Sequence, residues 1–172
     1  MTALETDRLT LRQLTPYDAP IILALLNEPS FVQFVGDRNV RTLDDARTYI
    51  LNGPVASYAQ FGFGLYLTLL RASGDPIGIC GLLKRDALSD VDVGFAFFPQ
   101  FWGNGYAKES ALAVIDHGRK SFGLTRIVAV VSPNNHVSRN VLEKLGFRFE
   151  RLVRLSDGAP EIELFALDLD DD

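Results

Sequence analysis

Two glycines separated by one residue, Gly103 and Gly105, lie between a predicted strand and a predicted helix. Glycine lets the backbone come close to a ligand, and the first amides of a helix have no acceptor within that helix. The positive end of the helix dipole lies at the same place, which favours an anion such as a phosphate. The spacing therefore predicts an anion-binding loop, with a simple tight turn before a helix as the alternative.

Two nucleotide-binding motifs share features with this loop but match it poorly. A dinucleotide-binding fingerprint requires a third glycine three residues after Gly105, where the chain has Lys108. A nucleoside-triphosphate loop requires Gly-Lys followed by Ser or Thr, and no such triplet follows the two glycines. The nucleoside-triphosphate loop is therefore excluded. A dinucleotide-dependent dehydrogenase is the weakest of the alternative functions.

The elements around the loop follow from the spacing of apolar residues. A strand is expected over 91–98 and a helix from Ala107 until Gly123 ends it. The other predicted strands cover 9–14, 63–70, 77–83, 126–131, 147–154 and 162–169, and the other helices cover 21–26, 43–51 and 137–145. The order β-α-α-β-β-β-α-β-α-β-β predicts an α/β protein whose mixed sheet is flanked by helices.

Composition limits the classes of protein that are compatible with the chain. Its 172 residues, 47% hydrophobic and 23% charged, predict a single domain over 1–172. The net charge of −5 comes mostly from the segment 168–172, predicted to be an acidic solvated tail, so no basic footprint for nucleic acid or membrane remains. One cysteine, Cys80, and two histidines argue against disulfides and a metal site, and we expect a cytoplasmic protein.

Three motifs in consistent order resemble the GNAT superfamily of N-acetyltransferases. Residues 100–105 have the pattern Gln-x-x-Gly-x-Gly of its acyl-CoA-binding loop, and residues 135–147 contain Asn-x-x-Ser and end in Glu-Lys-x-Gly-Phe. Residues 4–12 resemble the start of the RimJ/RimL-type branch, the ribosomal-protein alanine N-acetyltransferases. The resemblance implies the GNAT fold, a mixed, mostly antiparallel twisted sheet of six to seven strands with about four helices. It also implies acetyl-CoA as co-substrate.

The resemblance also assigns residues to acetyl-CoA. Loop amides would bind the pyrophosphate, and the strand before the loop would contact the pantetheine arm. A splay between the strands at 91–98 and 126–131 would admit the thioester. The implied cofactor-binding residues are Phe95, Ala96, Phe97, Gln100, Gly103, Asn104, Gly105, Tyr106, Ala107 and Asn135.

The implied chemistry is direct attack of an amine on a thioester, for which a base must accept the amine proton. Asp92 is the first candidate and Asp90 the second, with a solvated carboxylate at a strand end as the alternative for either. Many family members carry a Tyr near the departing thiolate where this chain has Leu142, which cannot donate a proton. Ser138 is the candidate replacement acid; its alternative role is hydrogen bonding at the start of a helix, which Asn135 is expected to cap.

The resemblance further implies that acceptor-binding residues lie between the first two helices, at Phe31, Phe34 and Asp37, with Val35 and Arg38 nearby and the turn at 156–158 across the cleft. Packing in the core is the alternative for the two phenylalanines. The expected function is N-acetylation of a primary amine, with the α-amine at a protein or peptide N-terminus first. A small amine, an amino acid or an antibiotic is the alternative acceptor. A catalytically inactive acyl-CoA-binding module is the alternative of another class. The protein is expected to be a monomer or a homodimer.

Overall fold

Eight strands form one continuous sheet in the computed structural model, which describes residues 3–169. They are β1 (Ala3–Glu5), β2 (Leu9–Gln13), β3 (Leu65–Leu70), β4 (Pro76–Leu83), β5 (Asp92–Phe97), β6 (Arg126–Val131), β7 (Arg148–Val153) and β8 (Ile162–Asp168). Their order in the sheet is β1-β2-β3-β4-β5-β6-β8-β7, and only β5 and β6 pair in parallel. The predicted mixed, mostly antiparallel sheet is confirmed. The sheet has one strand more than the six to seven expected. The additional strand is β1, which has three residues and pairs with β2 at the edge of the sheet.

Within residues 3–169 the chain forms six α-helices instead of about four. They are α1 (Ala19–Leu26), α2 (Pro29–Phe34), α3 (Leu43–Ile50), α4 (Ala56–Phe61), α5 (Tyr106–Phe122) and α6 (His136–Lys144). Pro29 follows the end of α1 and occupies the first position of α2, where its missing N–H leaves no intrahelical bond unmade. A π-helical segment around the buried Pro54 joins α3 to α4.

The helices cover both faces of the sheet, because alternate residues of each central strand point to opposite sides. On one face α5 and α6 pack against Leu82, Val93 and Ile127. On the other face α1, α2 and α3 pack against Leu67 and Ile79. Asp92, Gly94 and Ala96 of β5 alternate with Val93, so they face the α1–α3 side.

The two parallel strands diverge along their length. Asp92 and Val128 are the single register pair between β5 and β6, and the Val128 amide donates to the carbonyl of Val91 at 3.0 Å. Beyond this point the strands separate toward their carboxyl ends. The splay expected between the segments 91–98 and 126–131 is thereby confirmed, and the loop that follows β5 at the open end leads into α5.

The predicted acidic tail, 168–172, overlaps the end of the last strand by one residue. Asp168 is the last residue of β8, and its carboxylate lies 3.7 Å from Nη1 of Arg126. Residues 170–172 lie outside the part of the chain that the structure describes.

Candidate active site

A cleft of about 600 Å³ occupies the gap between β5 and β6, a size typical of ligand pockets. Phe95 and Ala96 line one wall and Val131 the other. A second cavity of about 70 Å³ shares Phe95 and Ala96 and extends to Ala107, at the start of α5. The two cavities together lead from the interior of the sheet to Trp102 and Ala107, which flank the two glycines.

The loop before α5 has the backbone that the two glycines predict. Gly103 and Gly105 have φ angles of +80° and +81°, in the left-handed region that strains residues with a side chain. A 3₁₀ turn, Pro99–Phe101, precedes them, and the Trp102 indole N–H donates to the carbonyl of Phe97 at 2.9 Å. The loop is thus fixed against the end of β5.

Five consecutive backbone amides in this loop have no hydrogen-bond acceptor within residues 3–169. They belong to Gly103, Asn104, Gly105, Tyr106 and Ala107. Orphan amides at a helix N-terminus bind anions well, since the helix dipole adds to their partial charges. The donor set fits the pyrophosphate of a nucleotide cofactor.

Arg8, which the sequence analysis did not assign to the site, lies beside this loop. Its guanidinium carbon is 4.5 Å from the centre of the Tyr106 ring, and a Cβ added to Gly105 would be 3.4 Å from Nη2 of Arg8. Arg8 also binds Glu109 in the first turn of α5, with Nε 2.7 Å from Oε1. Burial acts to raise the pKa of Glu109, but hydrogen bonds from Thr6 and Arg8 lower it overall. Arg8 therefore balances a carboxylate that would otherwise repel an anion at the loop.

The predicted cofactor residues divide into three groups by position. Phe95, Ala96 and Asn135 border both cavities, and Phe97 and Ala107 border the smaller one. The segment 103–106 forms the loop that carries the free amides. Gln100 is exposed in the 3₁₀ turn and borders neither cavity.

Asn135 and Ser138 form a closed pair of hydrogen bonds at the start of α6. Asn135 Oδ1 accepts from the Ser138 amide at 3.2 Å, which confirms Asn135 as the helix cap. Asn135 Nδ2 donates to Ser138 Oγ at 3.1 Å. Because that oxygen accepts from Asn135, the hydroxyl hydrogen of Ser138 remains available to the cleft, which both side chains border. Leu142, one turn later, is 1% exposed and forms apolar wall.

Asp92 is buried at the closed end of the cleft. Its side chain is 1% exposed, and both carboxylate oxygens accept from Arg85 Nε, at 3.1 and 3.2 Å. Burial raises the pKa of Asp92 above its ordinary value, and the nearby charge of Arg85 opposes this only in part. A carboxylate of raised pKa that borders a cleft is suited to accept a proton.

Asp90, the second candidate base, lies elsewhere. Its carboxylate accepts from Arg126 Nε at 3.1 Å, and it borders a separate cavity that it shares with Glu150. Of the two aspartates, the structure brings only Asp92 to the cleft.

Two of the three predicted acceptor-binding residues border the cavities. Phe31 and Phe34 of α2 border both cavities. Asp37 borders neither, because its carboxylate binds Arg41 at 2.5 Å and the Asn39 amide at 2.8 Å. Its neighbour Arg38 borders the cleft instead.

Across the cleft, Ser156 of the predicted turn lines the wall, whereas Asp157 and Gly158 do not. Two further residues of the cleft were missed by the sequence analysis, Tyr49 of α3 and Arg85 of the β4–β5 connection. Neither position carries a pattern that would have identified it, since each belongs to a segment whose place beside β5 is set by the tertiary fold.

Other candidate chemistry finds little support in the described part of the chain. Cys80 is fully buried, and burial raises the pKa of its thiol to about 12, so it stays protonated. Residues 3–169 contain no group of three His, Cys, Asp or Glu side chains placed to hold a metal ion. No helix in this range has the length and apolar character needed to cross a membrane.

Comparison with known proteins agrees with this geometry. Residues 8–148 match the family described as the acetyltransferase (GNAT) domain. The uncharacterized N-acetyltransferase YoaA of Bacillus subtilis (strain 168) is 32% identical over 155 residues, which are 88% of this chain and 85% of that protein. The chain belongs to the GNAT acetyltransferase family.

Solved structures show the same fold. An acetyltransferase from Agrobacterium tumefaciens str. C58 superposes with a TM-score of 0.82 at 27% identity, covering 97% of this chain and 94% of that one. RimL, a ribosomal L7/L12 alpha-N-protein acetyltransferase in complex with coenzyme A, superposes with a TM-score of 0.85 at 17% identity, covering 99% and 100%. This chain is an acetyl-CoA-dependent acetyltransferase whose fold is that of the GNAT enzymes.

Proposed function

We propose that this protein transfers the acetyl group of acetyl-CoA directly to a primary amine in the cleft between β5 and β6. One observation carries the proposal: a row of five acceptorless amides lies at one end of a continuous pair of cavities, and a buried carboxylate of raised pKa lies at the other. Acetyl-CoA supplies an activated thioester. The protein must hold it, deprotonate the amine and assist the leaving thiolate.

Each end of the cleft has its own task. The amides of residues 103–107 bind the pyrophosphate, and the wall at Phe95 and Ala96 contacts the pantetheine arm. The amine nitrogen forms a bond to the acyl carbon while the carbon–sulfur bond breaks. The amine proton passes to Asp92, directly or through water, and a backbone amide near Phe95 stabilises the oxyanion. Ser138 donates a proton to the thiolate and recovers one from water.

The acceptor we propose is the α-amine of a protein or peptide N-terminus. Two similarities of fold support this choice: RimL, and the ribosomal-protein-S5-alanine acetyltransferase of Vibrio fischeri, which superposes with a TM-score of 0.82 at 20% identity. Phe31 and Phe34 beside the cleft provide apolar contact for the first side chain of such an acceptor. This assignment rests on similarity of fold, so a small amine is the alternative to be tested beside it.

The test is thiol release from acetyl-CoA with three sets of acceptors, followed by mass analysis of the products. The sets are peptides with a free α-amine, the same peptides blocked at that amine but carrying lysine, and small amines. Acetylation confined to free α-amines supports the proposal. Turnover of small amines alone refutes the peptide assignment, and binding of acetyl-CoA without turnover of any amine indicates an inactive acyl-CoA-binding module.

A further inference from the structure

The acceptor end of the cleft contains more positive than negative charge. The ionised side chains that border it are Arg38, Lys84, Arg85 and Asp92. Lys84 is occupied, since its ammonium donates to the carbonyls of Arg85 and Leu88 at 2.9 and 2.6 Å. Arg38, in the connection between α2 and α3, has no hydrogen bond or ion pair within residues 3–169. The chain as a whole has a charge of −5, so this local excess of positive charge is not a property of the general surface.

Arg85 uses only one nitrogen of its guanidinium group, Nε, to bind Asp92. Its Nε binds Asp92, whereas its two terminal amino groups have no acceptor in the described part of the chain. The side chain is 30% exposed and borders the cleft. The planar guanidinium can therefore offer a pair of parallel donors to a carboxylate while it keeps its bond to Asp92.

Tyr49 borders the same cleft as Arg38 and Arg85. Burial raises the pKa of the Tyr49 hydroxyl, and the positive charges of Arg38 and Arg85 act to lower it. The hydroxyl has no hydrogen-bond partner among the described residues, although the side chain borders the cleft and packs against the core beneath α3. Three donor groups that have no acceptor among the described residues thus line the same cleft, which Asp92 also borders.

We propose that Arg38, Tyr49 and Arg85 bind a carboxylate of the acceptor, so that the preferred acceptor is an amine with an acidic group close to it. In a peptide this group is an Asp or Glu side chain at the first or second position, and in a small acceptor it is the carboxylate of an amino acid. The inference rests on the proposed function, since it identifies the substrate class of the same cleft. The pyrophosphate of acetyl-CoA does not compete for the three residues, because the loop amides that fit it lie at the other end.

The experiment compares matched acceptors that differ only in charge. One arm uses C-terminally amidated peptides with Glu or Gln at each of the first two positions, and the other uses amino acids and their amides. A charge-assisted bond predicts a kcat/KM about 10- to 100-fold higher for the acid, mainly through KM. A preference in the peptide arm identifies an acidic N-terminal residue, and a preference in the amino-acid arm identifies a small acceptor; either supports the inference.

Variants of two of the three residues test whether they carry the preference. Arg38→Gln and Tyr49→Phe should each reduce the ratio of acid to amide at least ~5-fold while both keep acetyl-CoA binding. The control is Arg47→Gln on α3, which removes the same charge from an exposed pair with Asp44 and should keep the ratio. Equal rates for acid and amide, or an equal loss in the Arg47→Gln control, overturn the inference and leave the proposed function intact. Failure of every amine to react overturns the proposed function itself.

Discussion

Replacing Gly105 with glutamate should abolish acetyl-CoA binding without unfolding the protein. Gly105 has a φ of +81°, a conformation that costs a residue with a side chain about 1–2 kcal/mol. The new carboxylate would occupy the anion site and displace neighbouring amides. A hydrogen bond to a charged acceptor contributes about 1.5–3 kcal/mol, so the loss of two amides predicts at least ~100-fold weaker binding.

The matched control is Gly123→Glu at the other end of α5. Gly123 has a φ of +64°, and a Cβ added there meets no atom within 4 Å, so the substitution brings comparable strain and the same charge far from the loop. Isothermal titration with acetyl-CoA, beside thermal unfolding, separates the two effects. Gly105→Glu should lose binding, and Gly123→Glu should keep it at a similar loss of stability. Binding by Gly105→Glu within ~3-fold of the parent, or equal loss in both variants, would refute the assignment of the loop.

Three further substitutions test the cleft and its supports. Ser138→Ala should lower kcat about 10-fold and leave the affinity for acetyl-CoA unchanged, since water then donates the proton in place of the serine hydroxyl. An unchanged kcat would mean that Ser138 only forms hydrogen bonds at the start of α6. Asp92→Asn should lower kcat about 100-fold or more and remove the acid limb of the pH–rate profile. In the parent protein this limb should lie above the ordinary aspartate pKa, because burial raises the pKa of Asp92. A limb that persists in the variant would exclude Asp92 as base. Asp18→Asn removes the negative charge and one of the two oxygens that accept 2.9 Å hydrogen bonds from Arg12, and it should cost about 2 kcal/mol of unfolding free energy at pH 7 by urea denaturation. Burial raises the pKa of Asp18 but hydrogen bonds lower it overall, so this stability is present above the unfolded pKa and lost as pH falls through the folded one. Equal losses at pH 7 and at strongly acid pH would contradict this.

The sequence predicts the elements that carry the loop better than those at the edges of the fold. The strand before Gly103 and the helix until Gly123 have clear patterns, and the structure forms both. In contrast, β1 has three residues and gains its strand form from pairing with β2. Helix α2 has no counterpart among the predicted helices, because the sequence does not reveal that a second helix begins at Pro29 soon after the end of α1.

The candidate site was predictable where it depends on local sequence. The capping of α6 by Asn135 and the left-handed glycines of the loop follow from neighbouring residues alone. The partners of Asp92 and Asp37 do not: Arg85 reaches Asp92 from the preceding connection, and Arg41 takes the carboxylate of Asp37 away from the cleft. Which arginine binds a given carboxylate depends on distances in the folded chain, and the sequence does not give those distances.

The most direct test of the central claim is a two-substrate steady-state analysis of thiol release with an accepted amine. Direct transfer within one cleft requires both substrates to be bound together, so double-reciprocal plots should give intersecting lines. The protein incubated with acetyl-CoA alone should gain no acetyl group by mass analysis. Parallel lines, together with stoichiometric acetylation of the protein itself, would contradict the account, because they indicate a covalent intermediate.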